Sequence, residues 1–592
     1  MLAGIDVAVA YSVRVRPSQH ELDVELTVNL AGETVQLATP TWVPGDYGFA
    51  SYGRDVFDVQ ARDAATGSDL PVARDGWQGY RIEGRGQAVR VTYTVSAYST
   101  DFGEPCGLVD SDFAVLTGTR YLRLPAWSGP VRVSYELPAG WNMHHPSGAK
   151  QVGETSWEYP SYEILLDTPV VMGRFDLLTR NVKGTPFHFA FVDRALGYQS
   201  RVESFVDRVS AVAERMDDIF GSFPFADYTF VLSTNPTADW GLEHLTSTMC
   251  GLGPDVFIDD DQFAHGVRVC AHELFHAWNV RRLRPAPLKR LDLTSGSFTE
   301  GLWMAEGFTR YYEFLLCTRT GVYTPEQFFS SIVNYYTHLT ATPAYERVSA
   351  ADSSYASYLN HPKYSGRCNN SIDYYDKGML IAFGLDATLR TENPPDSLDR
   401  AFSAFYQAYV GSTSGYSLAD VVHFFNEVRS GLGESIGRQV RHAAGLSVDS
   451  HLEALGFRVH RKSTRYLGLM FKDSTGPGIY NILDTSPAGS SGIAPEDVLV
   501  SVGGFPYSYK ALTWVASQAD PVVLDVLRGH RKLQFTITPR ERQAISHLTW
   551  SGTSEQARRV REWLHRDDFA PVAEQVFQVT FYENFHGIET IV

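Results

Sequence analysis

Two histidines stand four positions apart in CAHELFHAWNVRRLRP, residues 270 to 285, and a glutamate follows the first of them. On an α-helix, positions i and i+4 lie about 40° apart around the axis and one turn along it, so His272 and His276 can aim their imidazoles at one ion. Glu273 stands about 100° around from His272, where its carboxylate reaches a metal-bound water without ligating the metal. Zinc-assisted hydrolysis needs that division of labour, because the ion lowers the pKa of a water and a carboxylate takes its proton. The motif alone leaves a second reading open, two histidines that merely share a solvated helix face.

A third ligand decides between them, since catalytic zinc keeps three protein ligands and one open position. SFTEGLWMAEGFTRYY, residues 297 to 312, supplies Glu306 among Trp303, Phe308 and Tyr311. An unpaired carboxylate on so apolar a helix is costly, which favours a metal role over a surface one. Ser297 and Glu300 have the spacing of a capping box, so Glu300 is expected to cap that helix and stands as the fallback ligand.

Three regions must position these residues. Residues 1 to 175 run in period two: Leu22, Val24, Leu26, Val28 and Leu30 alternate with polar residues, and Val89, Val91, Tyr93 and Val95 repeat the pattern. That spells an antiparallel β-sandwich. From Val202 through Phe205, Val209, Val212, Met216 and Ile219 the apolar step becomes three and four, and helical signals continue to about 457. TPEQ at 324 to 327 combines a capping Thr, Pro at the first helical position and Gln at the third. YTFVLST and LTSTMCGLG, ahead of the histidine helix, read as strands of a small sheet. After 464 strands and turns return, followed by a tail with one charged amphipathic helix near 553 to 566.

HELFHAWNVRRLRP followed by LWMAEGFTRYY resembles the M61 zinc metallopeptidases, the glycyl aminopeptidases of the gluzincin group. TWVPGDYG at 41 to 48, WGLEH at 240 to 244, YYDKG at 374 to 378 and YENFHG at 582 to 587 are similar to further stretches of that family. The resemblance implies a multidomain α+β protein: an N-terminal β domain over 1 to 175, a thermolysin-like, mostly helical peptidase domain over 176 to 460, a PDZ domain over 461 to 541, and a tail over 542 to 592. It implies one Zn2+ per chain on His272, His276 and Glu306, with Glu273 as general base and later proton donor. Glu243 would bind the free α-amine of a substrate, with Gly241 beside it, and Tyr375 would hydrogen-bond the carbonyl oxygen as it becomes an oxyanion. Tyr374 competes for that role, because adjacent helical residues point about 100° apart. The implied activity is removal of N-terminal residues, with Gly or Ala preferred. Where the family usually has glycine before G-L-E-H this chain has Trp240, whose indole could shrink the first side-chain pocket.

A PDZ domain adds a peptide to its sheet as a strand and holds the terminal carboxylate on backbone amides. Leu467, Gly468 and Leu469 have the form of that loop, so protein C-termini are candidate partners. The sequence ends in ETIV, and Thr590 with Val592 fits what some PDZ domains accept, in cis or in a neighbouring subunit. The absence of a histidine near the start of KALTWVASQ speaks for an ending without that role. Two further readings stand beside the aminopeptidase: a PDZ-directed zinc endopeptidase, and a non-catalytic PDZ scaffold.

The 592 residues carry 51 Lys and Arg against 68 Asp and Glu, a net of −17, with no basic cluster, which argues against nucleic acid and anionic membranes. Five scattered cysteines without C-x-x-C spacing argue against a disulfide framework or a thiolate metal site. The opening MLAGIDVAVAYSVRVRP lacks a basic n-region and no window is apolar enough to span a bilayer, so the expectation is a cytoplasmic protein rather than a periplasmic one. Peptides with a free N-terminus are the expected substrates, and the composition is compatible with an oligomer.

Overall fold

The computed structural model describes residues 8–30, 33–100, 107–193, 199–238, 240–359, 367–392, 394–472, 476–579 and 589–592. Its contacts divide the chain into two compact units, Met1–Ser297 with Tyr409–Gly415 and Phe298–Ala408 with Tyr416–Val592. The division falls between His276 and Glu306.

The first unit opens on an eight-stranded sheet in the order Lys150–Gly153, Ser156–Tyr159, Val131–Glu136, Val9–Arg16, Glu21–Val28, Val89–Ser96, Val56–Asp63 and Asp69–Leu70. The alternating text is the cause: Leu22, Val24, Leu26 and Val28 are buried and sit opposite Val15, Val13, Tyr11 and Val9. A one-residue slip would turn that whole set to the other face, so the register is strongly specified. One feature departs from the antiparallel expectation. Val9–Arg16 pairs in parallel with Val131–Glu136, which period-two alternation cannot distinguish from an antiparallel pairing. Two smaller sheets, of three and four strands, complete this β-rich region.

A five-stranded sheet follows in the order Asp176–Val182, Thr185–Phe191, Tyr228–Ser233, Ser247–Gly251 and Gly241–Glu243. Its two inner pairings are parallel and its two outer ones antiparallel, so Gly241–Glu243 is an edge strand. Both stretches expected as strands are among these five. The helix Gln199–Phe220 buries Val202, Phe205, Val209, Val212 and Met216, the face expected from their spacing.

The second unit contains a helix, Leu302–Arg319, in which every residue is buried. A helix buried on every side, its Glu306, Arg310 and Glu313 included, is surrounded by protein. Its start corrects the capping expectation: the N-cap is Gly301, without a side-chain cap, while Ser297 Oγ accepts the Asp292 N–H at 3.1 Å and Glu300 is exposed. The capping box at Thr324 and Gln327 forms as expected and opens Pro325–Ala341. Leu302–Arg319 packs on Tyr374–Thr391 at backbone contact. A Cβ on Gly378 would lie 1.8 Å from the Trp303 carbonyl oxygen, and one on Gly307 would lie 2.3 Å from Gly378 Cα.

Beyond 456 this unit is strand-rich. Val498–Val502, Phe505–Pro506, Val522–Arg528 and Arg531–Ile537 form one sheet, and Asn481–Ile482, Leu469–Lys472 and Glu589–Ile591 form another. The expected tail helix runs from Ser554 to Leu564 and buries Ala557, Val560, Trp563 and Leu564. The stretch YENFHG lies outside the described residues, as does Cys106. Cys250, Cys270, Cys317 and Cys368 are buried thiols. Among the described residues no helix is long and apolar enough to cross a membrane.

Candidate active site

The helix Asp260–Phe275 is set at its start by Asp259, whose side chain accepts the Gln262 N–H at 2.8 Å, and by Asp260 and Asp261 near the positive end of the dipole. His276 caps its other end. His272, Glu273 and His276 are all at most 5% exposed, which removes the reading as a solvated histidine pair. The two Nε2 atoms lie 3.0 Å apart. His276 Nδ1 is 2.8 Å from the Asn279 carbonyl oxygen, so it is the donor there and its Nε2 presents a lone pair. Two tetrahedral nitrogen ligands at zinc-bond length stand roughly 3.3 Å apart, close to this separation, and a carbonyl on the far ring nitrogen is the usual orientation of a ligating histidine. The pair therefore fits a metal ion of zinc type.

The chain reverses just beyond His276. Val280, a β-branched residue, adopts φ +103°, a left-handed conformation that stores strain. The turn presents the Asn279 carbonyl to His276 and sends Arg281 back into the interior. Arg282 ties the helix end to the sheet by donating to the Ala277 and Leu245 carbonyls at 2.8 and 2.9 Å.

Glu243 ends the edge strand and is 3% exposed. Ligand atoms of Glu243, Glu273 and His276 all lie within 4.8 Å of one another. Glu243 Oε1 is buried without a hydrogen-bond partner. The two residues after Glu243 meet Asp167, which accepts the Leu245 N–H at 2.8 Å, lies 3.2 Å from His244 Nδ1 and hydrogen-bonds Arg281. Burial opposes ionisation of Asp167, but Arg281 and His244 outweigh it and hold its carboxyl below the usual range. Burial likewise works against the Arg281 charge, yet Asp167 and then Glu243 raise its pKa above the ordinary guanidinium value. Arg281 is thus a fixed positive charge close to both Asp167 and Glu243.

Gly241 matters for space. A Cβ there would lie 2.4 Å from the Glu273 carboxylate, so this side chain fits only beside a bare backbone. Trp240 takes φ +62°, a conformation that suits the glycine expected at this position. Its half-buried indole makes an edge contact with His265 on the histidine helix, centroids 6.1 Å apart.

The N-terminal region contributes in a way its alternating text did not indicate. Trp42, fully buried, donates its indole N–H to the Asp292 carbonyl, and the Thr41 N–H and hydroxyl donate to the Leu293 and Thr294 carbonyls at 2.9 and 2.6 Å. This strap carries Gly45 onto Glu243: at φ +100°, its Cβ would lie 2.6 Å from Glu243 Oε2. Trp42, Pro44, Gly45, Tyr47, Glu243 and Arg281 are among the lining of one small cavity. The signal was present in W-x-P-G-x-Y, but its target lies far along the chain.

The structure brings His272, Glu273, His276, Gly241 and Glu243 together in the first unit. Glu306 and Tyr375 belong to the second. Glu306 is 2% exposed, and the buried Tyr416 phenol is pushed up first by burial and then by the Glu306 charge. Asp373 caps the helix Tyr374–Thr391, accepting the Tyr375 and Asp376 N–H groups at 2.8 and 3.2 Å. Tyr374 and Tyr375 are both half-buried and their rings stack at 5.0 Å. The Arg310 guanidinium, paired with Asp376, lies 5.0 Å over the ring of Tyr375.

Comparison with known families places the M61 peptidase N-terminal domain over residues 10–174 and the M61 glycyl aminopeptidase domain over residues 265–381. No curated protein matches at a significant level. Among solved structures, an aminopeptidase N family protein from Idiomarina loihiensis is similar over 94% of this chain and 100% of its own, at 19% identity and a TM-score of 0.86. An M1 zinc metallopeptidase from Deinococcus radiodurans is similar over 74% of this chain and 94% of its own, at 15% identity and a TM-score of 0.44. A variant of it bound to a Tyr-Ser-Ala substrate has 16% identity, the same coverage and the same score. The first of these shares the fold along almost the whole length. Two M61 domains on one chain, the second covering His272, Glu273 and His276, identify the protein as a metallopeptidase.

Proposed function

We propose that this protein is a zinc-dependent aminopeptidase that hydrolyses the first peptide bond of peptides with a free N-terminus. The observation that carries the exopeptidase reading is Glu243 Oε1, a buried carboxylate oxygen without a partner beside Glu273 and His276. Such an oxygen is costly alone, and a substrate ammonium relieves the cost with a charge-assisted hydrogen bond. Holding the amine there measures one residue to the scissile carbonyl.

His272, His276 and Glu306 would hold one zinc ion, which when bound polarises the carbonyl and makes a water acidic enough to deprotonate near neutral pH. Glu273 accepts the proton of the attacking water and returns it to the leaving amine. Gly241 keeps the space beside that carboxylate open. The Tyr375 phenol donates a hydrogen bond to the substrate oxygen as negative charge develops on it, with Tyr374 as the competing donor. The confined cavity walled by Trp42 and Tyr47 at Glu243 supports a preference for a small first side chain, Gly or Ala. In the region 461 to 541 we read a PDZ domain whose Leu467–Leu469 loop holds a peptide carboxylate.

The test is zinc content together with hydrolysis of free and N-acetylated Gly- and Ala-peptides. Glu273→Gln should retain the metal and lose about 10²- to 10⁴-fold in kcat. Activity that survives this change would remove Glu273 from the mechanism.

A further inference from the structure

The edge of the strand Leu469–Lys472 is covered by the end of the sequence. Met470, Phe471 and Lys472 pair antiparallel with Ile591, Thr590 and Glu589. At the mouth of this pairing, the N–H groups of Leu467, Gly468 and Leu469 all donate to the carbonyl oxygen of Val592, at 3.1, 2.8 and 3.1 Å. The Val592 N–H returns a bond of 2.9 Å to the Leu469 carbonyl. Three successive amides aimed at one oxygen form an anion-binding concavity, which suits a carboxylate better than a neutral carbonyl.

Two further features make this a built site. Gly468 reaches it at φ +88°, and a Cβ there would lie 2.1 Å from the Ser486 side chain, so the loop shape depends on glycine. Val592 is 8% exposed and belongs to the apolar cluster that contains Leu467, Leu469, Leu512 and Val515. Main-chain pairing supplies general affinity for an extended segment, and the buried terminal side chain selects an aliphatic residue.

We propose that Leu467–Leu469 bind the C-terminal carboxylate of peptides ending in an aliphatic residue, and that residues 589–592 of the same chain are the resident ligand. The proposal rests on the reading of that loop as a carboxylate site. Because the ligand is tethered, its effective concentration is on the order of millimolar, so an outside C-terminus enters only by displacing it. Occupancy by another protein would therefore release the tail, and only ligands that outcompete it would be recruited.

The experiment uses the full chain, a chain lacking residues 589–592, and a chain carrying Val592→Asp, which keeps the length but puts a charge where the buried aliphatic side chain sits. The probe is a fluorescent peptide ending in Glu-Thr-Ile-Val, as the free acid and as the C-terminal amide. The expected result is acid binding at least about tenfold tighter to both altered chains than to the full chain, with the amide bound by none. Equal binding by all three chains would overturn the resident tail while leaving the carboxylate site standing. Binding by none of them, or equal binding of acid and amide, would overturn the carboxylate site itself. A full chain that sediments as a dimer and turns monomeric on deletion would place the tail in a second copy and overturn the intramolecular arrangement.

Discussion

At the residue scale the site depends on small differences of space and charge. Glu243 has a buried Oε1 without a hydrogen-bond partner and stands near the fixed Arg281–Asp167 pair. Glu243→Ala should raise KM for free-amine peptides by about 10- to 100-fold, as expected for loss of a charge-assisted bond, and hardly touch N-acetylated ones. Equal losses on both would show that it does not hold the amine. Gly241→Ala places a methyl against the Glu273 carboxylate. A displacement of about 1 Å in the base costs on the order of 10²-fold in kcat, so activity should fall that far while the unfolding midpoint moves little. Trp240 shows how opposing terms can leave a residue tolerated. Its left-handed backbone costs about 1–2 kcal/mol and its edge contact with His265 returns about 0.5–1.5 kcal/mol, so an indole persists where glycine fits the backbone better.

At the element scale, the helix that bears Glu306 is placed by contact between backbones. The Gly307–Gly378 crossing lets Leu302–Arg319 and Tyr374–Thr391 approach more closely than any Cβ permits. Gly378→Ala would push a methyl into the Trp303 carbonyl, and because neither helix can yield inside a packed core, we expect a loss of about 3 kcal/mol or more, measured by denaturant unfolding. The same two glycines stand in AEGF and YDKG beside the residues read as functional, yet a motif does not say that one is the footing of the other. The cap at the Glu306 helix was misread for a related reason: Ser297 has the spacing of a cap, but its hydroxyl serves the Asp292 loop that also receives Trp42. Competition among hydrogen-bond partners is settled by three-dimensional neighbours.

At the scale of the whole molecule, two half-buried histidines of the N-terminal region bear on the response to acid. His145 lies flat on Trp157, centroids 4.4 Å apart, with Nε2 2.6 Å from the Tyr159 hydroxyl; burial first, and then His144, lowers its pKa to about 4. His144 is lowered to about 4 by burial and by His188. Between that value and the unfolded value of about 6.5, the unfolded chain takes up protons that the folded chain refuses. Stability should therefore fall as pH drops from about 6.5 to 4 and change no further from these groups below it. His145→Gln should make the melting temperature less steep in pH across that window. An unchanged slope would exclude His145 from the acid response.

What the amino-acid order determined by itself is local. An H-E-x-x-H on an α-helix turns both imidazoles to one side because helical geometry repeats every turn, and alternation in period two buries one face of each strand whatever its neighbour. Hence the histidine helix, the β-rich region, the apolar Glu306 helix and the capped helix at Thr324 were legible. Direction of pairing and long-range meeting were not. The parallel partner of Val9–Arg16 and the arrival of Gly45 on Glu243 each join segments far apart in the chain. Such meetings are chosen by competition for buried area and hydrogen-bond partners across the whole fold, and no short window of sequence contains both competitors.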